Sequence, residues 1–425
     1  MNNFLDFMEK RFVPVAARIG GQRHLVAIRD GFVAIMPLIL AGSTAVLLKN
    51  TIFQWIAPLG ILIPICDQVW WGTLAIMTLL VVFSTAYSLA KSYNVNSLAA
   101  GLIAVGSYFA TLPQAHGDAG WGYIHWGYLQ ATGLFTGLIV ALIATEIFVK
   151  LIKRDLTIKM PEEVPPAVGR AFAAVIPGMI TIFTFGIVFL IIDKLGGVSL
   201  YDVIYEGIQK PLQGFSQGVG SAMVMAMLIN LFWFFGLHGA NILDPIMNAL
   251  YLPALTDNAA AIEAGLAAPN VITRVFFDTY VHLGGSGATI GLIIAIFIAA
   301  KKRKEYREVA KLSTPSGIFQ INEPMMFGLP IVLNPILFIP FIITPGILTL
   351  IGYIGTATGF APPTYVAIPW TTPPVVGAFL ATGATSASWR AAVLAAINLV
   401  ISVLIYLPFI KLADRQSRKT KITNQ

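Results

Sequence analysis

Residues 280–311 read YVHLGGSGATIGLIIAIFIAAKKRKEYREVAK, an apolar run that stops dead at a block of lysine and arginine. A run of about 20 apolar residues is the length a helix needs to cross the hydrocarbon core of a bilayer. A basic block just beyond it marks the cytoplasmic end. The same pattern recurs along the chain. Spans are expected at 30–49, 70–90, 96–112, 129–149, 171–192, 217–237, 240–254, 280–300, 331–354 and 389–410, about ten in all. The runs are continuous rather than alternating, which argues for helices and against a barrel. The fold class is therefore an all-α polytopic membrane protein.

Composition agrees. Of 425 residues, 57% are hydrophobic and 11% charged, and mean hydropathy is +0.78. Soluble domains carry about 25% charged residues. The net charge of +7 fits basic cytoplasmic loops and does not call for a nucleic-acid partner. The single cysteine, Cys66, excludes an intrachain disulfide and a cysteine metal cluster, and no metal or cofactor is expected. The N-terminal stretch MNNFLDFMEKRF is too polar for a signal peptide, so the first span is expected to serve as its own insertion signal.

Basic residues orient the spans. Lys10, Arg11, Arg18, Arg23 and Arg29 precede the first, KLIKRDLTIK follows the fourth, KKRKEYREVAK the eighth, and KLADRQSRKTK ends the chain. Residues 51–90, 113–126 and 252–273 hold no lysine or arginine. Both termini are expected in the cytoplasm.

Two apolar stretches fit no simple span. One, 313–330, surrounds Glu323, the only charged residue between Lys311 and Arg390. The other, 361–385, contains five prolines, too many for one continuous helix. Broken backbone at membrane depth survives only when buried in protein or lining a wet cavity. Both stretches are read as re-entrant hairpins, with extramembrane loops as the alternative, above all for the second. FVAIMP at 32–37 echoes FAAVIP at 172–177, each shortly after an arginine, which hints at two related halves. The chain is divided accordingly into 1–195, a scaffold and dimerisation half, and 196–425, a transport half that holds the broken segments.

Candidate site residues follow from isolation. A carboxylate within a span is costly unless paired or hydrated, so Glu323 is a functional candidate, with a structural ion pair or helix cap as the alternative. Pro324 places it at a turn beside Asn322. His238, between Gly236 and Gly239 and near Asn241, is the one titratable group from Pro211 to Leu243. It is either a core histidine or, with Glu323, one of a hydroxyl-binding pair. DTYVHLGGSGATIGL offers Asp278 and His282. Its GGSG lacks the following lysine and preceding strand of a phosphate loop, so close packing is the preferred reading, with backbone contact to a ligand as the alternative. Trp370, among prolines, is a sugar-stacking platform or an interfacial aromatic. Trp70, Trp71, Trp121 and Trp126 read as an outer belt. Asp118, Asp257 and Glu263 read as isolated acids, which leaves a lipid-linked transferase without a catalytic pair.

NEP around Glu323, GLHGANILDP around His238, RDGFVAIMPLILAGS near the N-terminus and PWTTPPVVGAFLATG together resemble the membrane component, enzyme IIC, of sugar phosphotransferase systems, in its lactose, cellobiose and N,N'-diacetylchitobiose family. The resemblance runs over the whole chain. It implies a homodimer in the bacterial cytoplasmic membrane, ten membrane helices with two hairpins, and a disaccharide site in the C-terminal half. Glu323 and His238 would hold the sugar 6-hydroxyl as the catalytic pair. Trp370 would stack on a ring. From the reading of the residues, Asn241, Asn322 and His282 are expected to join them in binding. The phosphoryl donor would be a phosphocysteine on a separate cytoplasmic enzyme IIB, with enzyme IIA upstream. Cys66, in an expected outer segment, does not fit that role. The rival from another class is a proton-coupled sugar symporter using Glu323 and His238.

Overall fold

The computed structural model describes residues 21–50, 53, 56–117, 120–161, 164–329 and 331–423, together with 14, 15 and 18. Lys10 and Arg11 of the basic arm, and Asp118, lie outside the described residues. Among the described residues, the regular structure is helical apart from one short antiparallel ribbon, β1 (Ala115–Gly117) and β2 (Gly120–Tyr123), in the loop after the third expected span.

The first part of the chain builds α1 (Arg23–Asn50), α2 (Ile63–Trp71), α3 (Met77–Ser92), α4 (Ser97–Ala110), α5 (Leu134–Lys153), α6 (Pro166–Ala173) and α7 (Val175–Gly196). Helix α3 lies at the centre of this group, packed on α1, α4 and α5. Its buried residues Met77, Val81, Val82, Ala86, Leu89 and Ala90 lie on more than one side, as suits a helix with neighbours around it. Helix α7 is apolar all round and largely exposed, which suits a surface in contact with lipid tails or another chain.

The second part holds α8 (Leu200–Ser216), with a π-helical turn at Tyr205–Gln209, α9 (Val219–Phe234), α10 (Gly239–Glu263), α11 (Arg274–Tyr280), α12 (Thr289–Ala299), α13 (Lys304–Ile318), α14 (Glu323–Gly328), α15 (Phe338–Ala357), α16 (Pro374–Ala381) and α17 (Ser388–Thr423). Helix α9 packs on α15, and α12 on α17. The largest apolar core draws only on residues between Ala222 and Ala413. A second cluster joins the two parts, setting Phe32, Ile35 and Met77 against Leu252, Leu255 and Ala381.

Among the described residues, six helices are long and apolar enough to cross a membrane, or seven if α8 and α9, bent by 78°, form one broken span. The count of about ten expected from the sequence is not reached by that measure. The shortfall has local causes. Helix α4 has 14 residues. Helix α10 carries Asp244, Asp257 and two internal prolines. The expected span at 280–300 is broken where Gly284, Gly285 and Gly287 all adopt positive φ. Residue Gly285, at φ +95°, abuts the Asn322 side chain, so a Cβ there would be both strained and blocked.

The two irregular stretches fold as hairpins. In the first, α13 runs to Ile318, the chain turns through 319–322, and α14 leads back. In the second, an extended segment returns through α16, closed by Tyr365 N and Val366 N donating to Ala381 O. The proline content of 361–385 explains its form: Pro373 and Pro374 open α16, where a missing N–H costs nothing.

Candidate functional site

The hairpins and two helix breaks converge on one cavity of about 400 Å³. Each break exposes backbone ends that a continuous helix would conceal. Helix α9 ends at Phe234, and Gly236 turns the chain in a left-handed conformation (φ +78°) that favours glycine. His238 then caps α10, its Nδ1 accepting from Asn241 N at 3.2 Å. A ring nitrogen that accepts carries no proton, so Nε2 is the donor. The ring lies against Trp233, centroids 4.3 Å apart.

Across the cavity His238 Nε2 stands 3.7 Å from Glu323 Oε1. That is too long for a direct hydrogen bond. It is the separation at which one hydroxyl can accept from the imidazole and donate to the carboxylate. Both side chains remain about 40% exposed, 40% for the histidine and 42% for the glutamate, so a ligand can reach them.

His238, Asn241, His282, Asn322, Glu323 and Trp370 all line this cavity. The sequence had placed them in four separate constellations; the structure brings them together. Their environments differ. Asn322 is almost fully buried, and its Nδ2 donates to Ser286 O at 2.9 Å, so its amide grips the glycine-rich break. His282 Nδ1 is buried without a hydrogen-bond partner among the described residues, as is Trp233 Nε1. Trp370 is 47% exposed at the tip of the second hairpin.

The site also contains charges that the sequence reading left without a role. Arg274 Nη1 lies 3.1 Å from both Asp278 carboxylate oxygens, Nη2 lies 3.4 Å from Asp244 Oδ1, and Nε donates to Asn248 Oδ1 at 3.2 Å. Asn248 Nδ2 closes the network on Asp244 Oδ2 at 2.9 Å. Arg274, Asp278 and Asp244 line the cavity beside Gln320 and Ser286. The Arg274/Asp278 spacing of i,i+4 was a readable signal, since such pairs share a helix face. The GGSG run is used twice: its glycines permit close packing, and Gly285 and Ser286 also face the cavity. Glu263 is not the isolated acid it looked to be in the sequence. It pairs with Lys49, which also bonds Asp67 at 2.7 Å. The tryptophan cluster is real for Trp70, Trp71 and Trp126, with centroids 5.1 and 4.6 Å apart in sequence.

Comparison with known proteins fits this architecture. Residues 29–345 match the family model "Phosphotransferase system, EIIC". The chain is 37% identical to the PTS system cellobiose-specific EIIC component of Lactococcus lactis subsp. lactis (strain IL1403), covering 98% of this chain and 99% of the relative. It is also 37% identical to the PTS system oligo-beta-mannoside-specific EIIC component of Bacillus subtilis (strain 168), covering 95% and 92%. Its fold is similar to the crystal structure of the transporter ChbC, the IIC component from the N,N'-diacetylchitobiose-specific phosphotransferase system, with a TM-score of 0.90, 34% identity, and 98% and 99% of the two chains covered. By sequence and by fold, this chain belongs to the EIIC permease family of the sugar phosphotransferase system.

Proposed function

We propose that this permease binds a disaccharide of the cellobiose or diacetylchitobiose type, carries it across the cytoplasmic membrane, and presents its 6-hydroxyl to a phosphocysteine on a separate enzyme IIB, itself charged by enzyme IIA. The observation that carries the reading is the 3.7 Å gap between the His238 Nε2 donor and the Glu323 carboxylate. A relative with 32% identity, the lactose-specific EIICB component of Streptococcus mutans serotype c (strain ATCC 700610 / UA159), joins the two components by name. That supports a IIB partner for this chain.

In this mechanism the 6-hydroxyl accepts from His238 Nε2 and donates to Glu323. Trp370 offers its face to a sugar ring, and Asn241 and His282 meet peripheral hydroxyls. Asn322 acts by holding the glycine-rich break that carries Ser286. The O6–P bond forms as the P–S bond of phosphocysteine breaks. The hydroxyl proton passes to Glu323 and then to solvent or to the departing thiolate. Phosphoryl transfer is largely loose, so Glu323 need not be a strong base: it positions the hydroxyl and accepts its proton as the O6–P bond forms. The product carries new negative charge into a cavity already holding Glu323, Asp244 and Asp278 against Arg274, which favours its departure. We read the remaining short or broken helices as further membrane crossings, both hairpins as re-entrant, both termini as cytoplasmic and the working unit as a homodimer. Translocation is a rigid-body movement of the 196–425 half against the 1–195 half.

The test is equilibrium binding of radiolabelled cellobiose, diacetylchitobiose and lactose to purified protein, with Glu323→Gln and His238→Ala alongside. One disaccharide should bind, and both variants should weaken it while staying folded. Binding untouched by either variant would remove the pair from the site.

A further inference from the structure

Gln320 occupies the turn between α13 and α14, three residues before Glu323. It is 4% exposed and has φ +65°. That φ belongs to the cap that ends α13, in which Gln320 N donates to Gly317 O and Ile321 N to Ser316 O. The side chain is fixed separately. Gln320 Nε2 donates to Asp278 O and to Thr372 O, each at 3.0 Å, and Oε1 accepts from Gly284 N at 3.3 Å. These partners belong to three distant pieces of chain. Thr372 is at the tip of the second hairpin, two residues beyond Trp370. Asp278 is in α11, bonded to Arg274. Gly284 begins the glycine-rich break. One carboxamide thus ties together the segments that bear Glu323, Trp370 and the Arg274 network.

No other side chain of this size can replace it. The carboxamide supplies two N–H donors and a carbonyl acceptor in one plane. Glutamate would set a carboxylate against two carbonyl oxygens. Methionine would match the length but leave two carbonyls and one N–H without partners.

We propose that Gln320 is a positioning residue that locks the two hairpin tips into a single register, so that Trp370 and the Glu323/His238 pair face one ligand at a fixed separation. It touches the site through the backbone, and it lines the cavity wall as well. The proposal rests on the disaccharide reading above for its functional consequence, but not for its structural one. If the clasp sets the separation, the value of Trp370 to binding must depend on it.

The experiment is a double-mutant cycle of Gln320→Met with Trp370→Ala, read by disaccharide binding, together with hydrogen exchange of peptides covering 361–385. Gln320→Met should weaken binding about tenfold, the scale of one lost buried hydrogen-bond set. Trp370→Ala should weaken it about as much in the wild-type background but less than about twofold in the Gln320→Met background, a coupling expected only of groups acting together. Exchange in 361–385 should rise although the substitution is in the other hairpin. Losses that simply multiply, or unchanged exchange at 361–385, would overturn the proposal. If the wild-type chain bound no disaccharide, the functional reading would fall while the exchange arm still decided the clasp. Should Gln320→Met fail to fold, Gln320→Asn, which keeps the carboxamide but is one methylene too short to reach both carbonyls, is judged by the same two readouts.

Discussion

His238 has two duties that a single substitution can separate. Its Nδ1 caps α10 and its Nε2 faces Glu323. Alanine removes both. Asparagine is a strong N-cap but too short to reach the ligand hydroxyl. His238→Asn should therefore hold the thermal midpoint near wild type, whereas His238→Ala should lose about 1 kcal/mol of stability. Both should lose sugar binding, measured on the same samples. Glu323→Gln poses a different contrast. The amide is nearly isosteric and still accepts a hydrogen bond, so binding should fall about tenfold, the difference between a charged and a neutral acceptor. Phosphorylation by IIB should fall further, about a hundredfold or more, because a carboxamide takes no proton. A binding loss as large as the loss of phosphorylation would assign Glu323 to ligand holding alone. Both residues were legible in the sequence because each is a lone polar group in an apolar stretch. Asn322 was legible as a neighbour, but its grip on Ser286 O was not, since that contact crosses 36 residues.

At the scale of elements, the breaks matter more than the helices. Helix α11 is seven residues long, yet it delivers Arg274 and Asp278 to the cavity from one face. Removing the guanidinium strands two acids in a protein interior. Arg274→Met should cost about 3–5 kcal/mol, read as a lowered unfolding midpoint in detergent. Arg274→Lys should recover part of it, because it returns the charge without the planar fork. Equal midpoints for wild type and Arg274→Met would mean the network is already solvated. The sequence showed the length of this region but not its break. An apolar run of the right length at 280–300 looked like one span, but three glycines with positive φ divide it. Apolar length records the thickness crossed; it does not record where the backbone turns.

Across the whole molecule, contact between the two parts is partly apolar and partly ionic. Phe32 and Ile35 meet Leu252 and Leu255, while Lys49 at the end of α1 joins Asp67 to Glu263 at the end of α10. The Lys49 and Glu263 side chains are about one-fifth exposed, so screening weakens the pair without abolishing it. Lys49→Ala and Glu263→Ala should each destabilise the protein. The double variant should lose about 1 kcal/mol less than their sum. Strict additivity would show that the ion pair does not couple the parts.

The chain by itself determined the class of fold, because apolar runs long enough to span a bilayer and basic blocks between them have one economical explanation. It also singled out Glu323, His238 and Trp370, because polar or aromatic groups among prolines and glycines in apolar surroundings need a reason. Only the tertiary structure decided which groups meet. Arg274 finds Asp244 across 30 residues, Gln320 finds the backbone of Thr372 across 52, and Lys49 finds Glu263 across 214. Hydrophobic periodicity says which face of a helix is buried, but it carries no label for the partner. The partner is chosen when distant segments pack, where each buried polar group must find its complement or bear the full cost of desolvation.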